Sequence, residues 1–314
     1  MGNNKFAIGI DLGGTSVKYA LIEENGRFHA QGSLPSKAEV SAEAVISQIL
    51  AGINEMLHFA SANGHKVSGI GIGTPGIVDD AGVVLGGAEN IWGWENVPLA
   101  GRIETETHLP VQVGNDANLM GLGETMYGAG KNVKNVVFIT VGTGIGGAVI
   151  IDGKLFNGFA NRRTELGHVP LMADGEPCAC GSVGCLEHYA SASALVRRFK
   201  ERATSAGIPF PTDVDGKQIV ALYKQGDALA TMCLDEHCRF LGHGIGGFIN
   251  IFSPQRVIIG GGLSEAGDFY IRKIRESTMR HCIDACAANT EIMAATLGNK
   301  GGSLGAAALC FPSL

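Results

Sequence analysis

The sequence lacks the features of several protein classes. It has no excess of basic residues, because 24 Lys and Arg face 30 Asp and Glu for a net charge of −6, which argues against a nucleic-acid surface. It has no uninterrupted apolar segment of membrane-spanning length, since residues 136–151 contain two Thr and four Gly. The first residues, MGNNKF, have no apolar signal core, and Phe6 occupies the position where N-myristoylation needs Ser or Thr. We therefore expect a cytoplasmic protein with no nucleic-acid or membrane partner.

The composition that is present describes an ordinary folded protein. Its 314 residues are enough for two domains, and 45% of them are hydrophobic, which allows a large core. Forty-seven glycines indicate many tight turns and places where the backbone approaches a ligand.

Residues 165–187, ELGHVPLMADGEPCACGSVGCLE, hold four side chains that bind soft metals: His168, Cys178, Cys180 and Cys185. Three thiolates and one imidazole are a usual tetrahedral ligand set for structural Zn²⁺. A disulfide cluster and apolar filling of a core are the alternatives. Disulfides are rare in a reducing compartment, and the neighbouring residues are Gly, Ser, Pro and Glu rather than apolar. The spacing favours zinc.

A carboxylate stands near each end of this segment. Glu165 comes three residues before the histidine, and Glu187 comes two residues after the last cysteine. A metal that fixes the loop would also fix these two carboxylates, which predicts a rigid polar binding site.

A strand–glycine turn–strand pattern occurs twice. Residues 5–27 contain FAIGI, the turn DLGGTS and VKYALI, and residues 138–154 contain FITV, the turn GTG and IGGAVII. Glycines let successive N–H groups face an anion, so both turns are candidate phosphate sites. Asp11 would repel a phosphate directly, so its function implies Mg²⁺ or water between them. Two copies in one chain suggest two related α/β domains that close on a nucleotide.

Other segments predict elements of secondary structure. The apolar spacing in 41–63 predicts a core helix, and 110–127 predicts a strand followed by a helix. Residues 256–262, RVIIGGG, predict a buried strand with a glycine turn, where the backbone can approach a flat ligand such as adenine. We expect at least one of the two tryptophans, Trp92 and Trp94, to be packed in the core.

The motif E-L-G-H followed by C-x-C-G-x-x-G-C-x-E resembles the sugar-site and zinc signature of the ROK family, and the similarity extends over nearly the whole chain. The resemblance implies an α/β, two-domain actin-like ATPase (ribonuclease H-like) fold with an active-site cleft between the domains. We expect residues 1–115 plus 301–314 to form the smaller domain and residues 116–300 the larger one. It also implies a homodimer or higher homo-oligomer.

The resemblance further implies an ATP-dependent kinase that phosphorylates the 6-hydroxyl of a hexose, with glucose favoured because AENIWGW resembles the glucokinase branch. Asp116 is then the general base, and ATP, Mg²⁺ and a structural Zn²⁺ are the expected cofactors. The implied sugar-binding residues, Asp116 included, are Asn90, Asn115, Asp116, Glu165, His168 and Glu187. The implied nucleotide-binding residues are Asp11, Gly13, Gly14, Thr15, Lys18, Thr140, Gly142, Thr143, Gly144, Gly261 and Gly262.

Three alternatives remain open. One is a ROK kinase for fructose, mannose or an N-acetylated hexosamine, and another is a sugar-sensing ROK regulator. The regulators carry a helix-turn-helix before the first strand, and here that strand starts about five residues in. A stand-alone zinc protein would leave the paired glycine turns unexplained. The chain departs from the family pattern G-x-A-G-E at Asn161-Arg162-Arg163-Thr164, where two arginines are expected to alter specificity or serve an interface.

Overall fold

The computed structural model describes residues 4–161 and 164–311. The strands in these ranges are β1 (Phe6–Leu12), β2 (Ser16–Glu23), β3 (Phe28–Pro35), β4 (Val67–Thr74), β5 (Ile77–Val78), β6 (Val84–Gly86), β7 (Val111–Asn115), β8 (Val136–Val141), β9 (Ile145–Ile151), β10 (Lys154–Leu155), β11 (Arg256–Gly260) and β12 (Glu291–Ala294). The helices are α1 (Ala42–Ala62), α2 (Leu99–Thr107), α3 (Asp116–Tyr127), α4 (Leu186–Ala190), α5 (Ala192–Ser205), α6 (Gly216–Lys224), α7 (Ala228–Phe252), α8 (Asp268–Thr278), α9 (Asp284–Ala287) and α10 (Gly301–Ala308).

The first five-stranded sheet has the order β3-β2-β1-β4-β7. Strands β1, β2 and β3 are antiparallel neighbours, whereas β4 pairs parallel with both β1 and β7. Six of the seven residues of β1 are buried, as expected for a central strand covered on both faces. The hairpin predicted for residues 5–27 is confirmed.

Helix α1 covers one face of this sheet. Its N-terminus is capped by Ser41, whose side chain accepts a hydrogen bond from the backbone N–H of Ala44. Ile49, Ile53 and Met56 recur at helical spacing and are buried together with the apolar residues of β1. The helix predicted over 41–63 is confirmed.

Helix α10 covers the opposite face. A Cβ atom on Gly9 of β1 would collide with the carbonyl of Ser303, and one on Gly71 of β4 would collide with the carbonyl of Ala306. Both strands therefore need glycine where this helix crosses them. On its other side α10 packs against α3, with Gly305 against the Leu119 carbonyl.

The second five-stranded sheet has the order β10-β9-β8-β11-β12. Strand β11 pairs parallel with β8 and with β12. If the strands of each sheet are numbered along the chain, both sheets read three-two-one-four-five. The duplication inferred from the two glycine turns is therefore present in the sheet topology as well as in the sequence.

The chain divides into two compact units. The first contains Met1–Lys134, Ala148–Thr164 and Thr296–Leu314, and the second contains Asn135–Gly147 and Glu165–Ala295. Helix α3 groups with the first unit, where the buried carboxylate of Glu124 accepts hydrogen bonds from the backbone N–H groups of Thr296 and Leu297. The domain boundaries expected after residue 115 and before residue 301 stay a prediction.

Helices α5–α8 belong to the second unit. Cys233 and Cys238 are buried on α7, as expected of small core side chains. None of the described helices combines the length and the apolar character needed to cross a membrane.

Candidate functional site

The first glycine turn joins β1 to β2 in the first unit. The backbone N–H of Gly13 donates to the Ser16 carbonyl at 2.9 Å. Ser36 holds the turn from outside, because its hydroxyl donates to the Gly14 carbonyl at 2.8 Å and its N–H donates to the Thr15 carbonyl at 3.1 Å. The three residues predicted to bind phosphate therefore lie in one fixed turn.

Asp11 and Lys18 face each other across the same hairpin, since they are paired in the β1–β2 register. The Asp11 carboxylate is packed against the start of α10, where a Cβ on Gly302 would collide with it. Burial raises the pKa of Asp11 to about 6; Lys18 lowers this pKa, and the nearby Asp116 raises it. The structure thus brings Asp11, Lys18 and Asp116 together, which is a set that proximity in the sequence does not imply.

The raised pKa makes a prediction for stability. Because the ionised form of Asp11 is disfavoured in the folded state, we expect Asp11→Asn to raise the free energy of unfolding at pH 7.5 by up to about 3 kcal/mol, from about 1.36 kcal/mol per pKa unit between 3.8 and about 6. The gain should shrink as the pH falls from 6 towards 3.8, where wild-type Asp11 binds a proton on folding.

Urea unfolding of the two proteins at several pH values measures this difference. Asp213→Asn, a change at an exposed aspartate, is the matched control. If the difference in the free energy of unfolding between Asp11→Asn and wild type does not vary with pH, the folded state does not disfavour the ionised form of Asp11.

Asn115 and Asp116 lie where β7 ends and α3 begins. Asn115 is the N-cap of α3, because its Oδ1 accepts from the N–H of Asn118 at 3.2 Å. Its Nδ2 donates to Asp116 Oδ1 at 2.7 Å, and the same oxygen accepts the N–H of Ala117 at 2.8 Å. Asn115 therefore caps the helix, and the two donors also fix the orientation of the Asp116 carboxylate.

Asn90 is exposed and lies beside the first glycine turn, since a Cβ on Gly14 would be 2.9 Å from its Nδ2. Of the two tryptophans, Trp94 is buried and donates its indole N–H to Thr74 Oγ1 at 2.8 Å, whereas Trp92 is 73% exposed. The expectation that at least one tryptophan is core is confirmed.

The second glycine turn joins β8 to β9 in the second unit. The N–H of Gly142 donates to the Gly144 carbonyl at 3.0 Å, and the Gly142 carbonyl accepts the N–H of Ala192, the first residue of α5, at 2.9 Å. Glu187 Oε2 accepts the N–H of Ile145 at 2.7 Å. A Cβ on Gly144 would collide with that carboxylate. The structure therefore places Glu187 directly against the turn predicted to bind phosphate.

Two further predicted nucleotide residues flank this turn. Thr140, in β8, pairs with Gly260 of β11. Thr143 lines a cavity of about 550 Å³ in the second unit.

The four predicted metal ligands form a cluster in the second unit, with their ligand atoms within 4.8 Å of one another. Cys178 Sγ lies 3.7 Å from His168 Nδ1, and Cys180 Sγ lies 3.6 Å from Cys185 Sγ. A tetrahedral Zn²⁺ with Zn–S bonds of about 2.3 Å holds its sulfurs about 3.8 Å apart. The residues fit a zinc ion.

Neither alternative for the cysteines matches this arrangement. A disulfide requires sulfurs about 2.05 Å apart, and apolar filler requires burial, whereas Cys180 is exposed. Burial raises the pKa of the Cys185 thiol to about 12, and a bound metal would instead hold it as a thiolate. Gly181 and Gly184 have φ values of +89° and +70°, so the loop turns between its ligands at residues that tolerate this backbone.

The E-L-G-H segment needs its glycine in order to pack closely against β9. It forms a short 3₁₀ turn at Leu166–His168, and a Cβ on Gly167 would collide with the Ile145 carbonyl at the start of β9. Glu165 accepts the N–H of His168 on its backbone carbonyl at 3.1 Å. The turn that holds Glu165 and His168 therefore packs against Ile145, the residue whose N–H donates to Glu187. Arg162 and Arg163 lie outside the described residues.

The glycine triplet after β11 has one residue that must be glycine. Gly261 has φ +87°, and a Cβ there would collide with the Val141 carbonyl. Gly262 begins a 3₁₀ turn and lines a cavity of about 320 Å³ with Lys217 and Lys224 of α6.

Sequence analysis did not identify the other residues that line the cavities at this glycine turn and at Thr143. They include Ser193, Asp215, Gly216 and Lys217. The one available signal was the capping box of Asp215 and Gln218, which marks the start of α6 but not its neighbours.

Comparison with known protein families shows that the ROK family profile matches residues 7–312. The chain belongs to the ROK family. The actin-like two-domain α/β fold that the resemblance implied is that of ROK sugar kinases and is confirmed.

Several known proteins are similar over most of the chain. The glucokinase of Streptomyces coelicolor is 36% identical over 313 residues, which cover 96% of each chain. A ROK family glucokinase from Streptomyces griseus, solved in complex with glucose and AMPPNP, is 35% identical with a TM-score of 0.80, covering 97% of this chain and 98% of that one. The xylose repressor of Caldicellulosiruptor bescii is 31% identical, covering 96% of this chain and 77% of the repressor.

Proposed function

We propose that the protein is an ATP-dependent sugar kinase that phosphorylates the 6-hydroxyl of a hexose, with glucose as its preferred substrate. The observation that carries the proposal is the oriented carboxylate of Asp116, at the carboxyl end of β7 and close to Asp11. The similarity to glucokinases over nearly their whole length supports it. Ligands of open α/β sheets bind at this end of the strands.

Asp116 is the proposed general base. Its carboxylate accepts the proton of the sugar 6-hydroxyl while the hydroxyl oxygen forms a bond to the γ-phosphorus and the bond to the ADP oxygen breaks. The two donors on Oδ1 hold the carboxylate in one orientation, so little reorganisation is needed when the hydroxyl arrives.

The glycine turns and their neighbours are the proposed phosphate ligands. These are Gly13, Gly14 and Thr15 with Lys18, and Thr140 with the turn 142–144. Backbone N–H groups and the lysine ammonium group attract the negatively charged triphosphate. Mg²⁺ bound with the nucleotide would supply positive charge that neutralises the phosphates. Asp11 carries the hard oxygen donors that such an ion requires.

The proposed sugar ligands are side chains with oxygen or nitrogen donors and acceptors, namely Asn90, Asn115, Glu165, His168 and Glu187. In the cluster His168 presents Nδ1 to the cysteines, so Nε2 is the nitrogen that would meet a hydroxyl. We propose that Gly261 and Gly262 lie against the adenine ring, because both leave the backbone without side-chain cover.

A hexose panel with ATP and Mg²⁺ tests the proposal. We expect glucose to give the highest kcat/KM, because the AENIWGW segment resembles the glucokinase branch, ahead of fructose, mannose and N-acetylated hexosamines. Asp116→Asn in the same assay is the control for contaminating kinase. A higher kcat/KM for an N-acetylated hexosamine would contradict glucose as the preferred substrate but would still support a sugar kinase.

The competing function is sugar sensing, which the similarity to xylose repressors brings into consideration. A sensor would bind sugar without turnover. Calorimetric sugar binding with no phosphorylation of any hexose in the panel would overturn the kinase proposal in favour of this one.

A further inference from the structure

A charged cavity of about 570 Å³ lies in the second unit between α7 and α8. It is lined by Arg202 of α5, Arg239 of α7, Lys273 of α8 and Arg280. No part of the proposed kinase reaction uses these four cations. Its volume falls within the range of small-molecule sites, about 300–1,000 Å³.

Glu236 is the carboxylate on which the arginines of this region converge. Its Oε2 lies 2.8 Å from Arg202 Nη2 and 3.6 Å from Arg198 Nε, and its Oε1 lies 3.3 Å from Arg239 Nη2. One carboxylate neutralises one guanidinium. These four side chains, which we call the Glu236 cluster, therefore carry two uncompensated positive charges.

Arg198 is the least satisfied member of the cluster. It is 9% exposed, and only its Nη1 is well paired, donating to the Tyr189 carbonyl at 2.6 Å. Among the residues that the structure describes, its Nε and Nη2 have no hydrogen-bond partner. Burial lowers the pKa of Arg198, Glu236 opposes this change, and the neighbouring arginines add to it. A buried guanidinium whose N–H groups lack hydrogen-bond partners lowers the stability of the folded state.

The other charges that line the cavity do not offset this excess. Lys273 Nζ is already paired with Asp235 at 2.7 Å. Glu276 and Arg280 contribute one charge of each sign. The cavity and the buried arginine behind Glu236 thus hold five cationic side chains against three carboxylates.

We propose that this cavity binds a small phosphate-bearing anion, either free phosphate or a phosphate monoester, through Arg202 and Arg239. Guanidinium groups match the oxygen spacing of phosphate with paired N–H donors, and several arginines around one site are the usual means of binding a dianion. Two negative charges would neutralise the excess of the Glu236 cluster.

Binding has a structural consequence within the cluster. An anion on Arg202 and Arg239 would compete with Glu236 for both side chains. The freed carboxylate lies 3.6 Å from Arg198 Nε, so a shift of less than 1 Å would give Arg198 the hydrogen bond that it lacks. The bound anion would therefore neutralise the excess positive charge of the Glu236 cluster and also allow Glu236 to accept a hydrogen bond from Arg198.

The test is calorimetric titration of the purified protein with inorganic phosphate and with glycerol 3-phosphate, at constant ionic strength set with chloride. We expect Arg239→Gln and Arg202→Gln each to weaken binding by at least tenfold, the equivalent of about 1.4 kcal/mol. Arg239 is 63% exposed, so its variant should fold even if the loss of Arg202 disturbs the helix packing.

Arg272→Gln is the matched control, because Arg272 is an exposed cation on α8 that does not line the cavity. Phosphate bound at the glycine turns would be affected equally in all three variants, so the comparison isolates this site without reference to kinase activity. Tighter binding of glycerol 3-phosphate would identify a monoester as the ligand, and tighter binding of phosphate would identify the free ion. Equal affinities in all three variants, or no heat with wild type, would overturn the proposal.

Discussion

Replacing Asp116 with Asn is expected to lower kcat by about 10²–10⁴-fold, the usual contribution of a general base. The KM for sugar and the affinity for ATP should change little. The asparagine Oδ1 can still accept the N–H groups of Asn115 and Ala117, which hold the carboxylate now at 2.7 and 2.8 Å. What is lost is the ability to take a proton.

Steady-state kinetics with glucose, together with calorimetric binding of sugar and of AMPPNP, measure the three quantities. Asp213→Asn makes the same chemical change at an exposed position and should leave all three unchanged. Turnover close to wild type in Asp116→Asn would reduce Asp116 to a residue of the helix start.

The second large effect is expected from Cys180→Ala. Four protein ligands leave no coordination position for water, so the metal would be structural and would supply shape rather than a nucleophile. We expect this variant to lose stoichiometric zinc and to raise the KM for sugar well over tenfold, because the cluster holds the loop between Glu165 and Glu187. ATP binding should change much less at the first glycine turn, which is built from other residues.

Metal analysis and separate binding measurements for sugar and AMPPNP test this expectation. Cys282→Ala removes a thiol outside the cluster and should keep the zinc. Less than half an equivalent of zinc in an active wild-type preparation would contradict a structural metal. Equal loss of sugar and nucleotide binding would show instead that the metal holds the whole second unit.

Features encoded locally were predictable from the sequence. The cysteines of the cluster lie within eight residues and His168 only ten before the first of them, so loop geometry alone brings them close. Helix α1 follows from apolar periodicity, and the paired glycine turns follow from their repeated spacing. Each is decided by neighbours along the chain.

Features that depend on distant packing were not predictable. The Asp11 carboxylate packs against Gly302, which is 291 positions away in the sequence. The contact of Glu187 with the second glycine turn joins residues 42 positions apart. Nothing in the sequence distinguishes buried Trp94 from exposed Trp92, or shows that three arginines share Glu236.

The packing of α10 against β1, β4 and α3 has a consequence for biosynthesis. The first unit is interrupted in the sequence, and its glycines at positions 9 and 71 face backbone that is synthesised after the second unit. A ribosome adding about 5–20 residues per second needs roughly 8–35 s to proceed from residue 134 to residue 301. During that interval one face of the first sheet is without its covering helix, and the unit that emerges first is completed last.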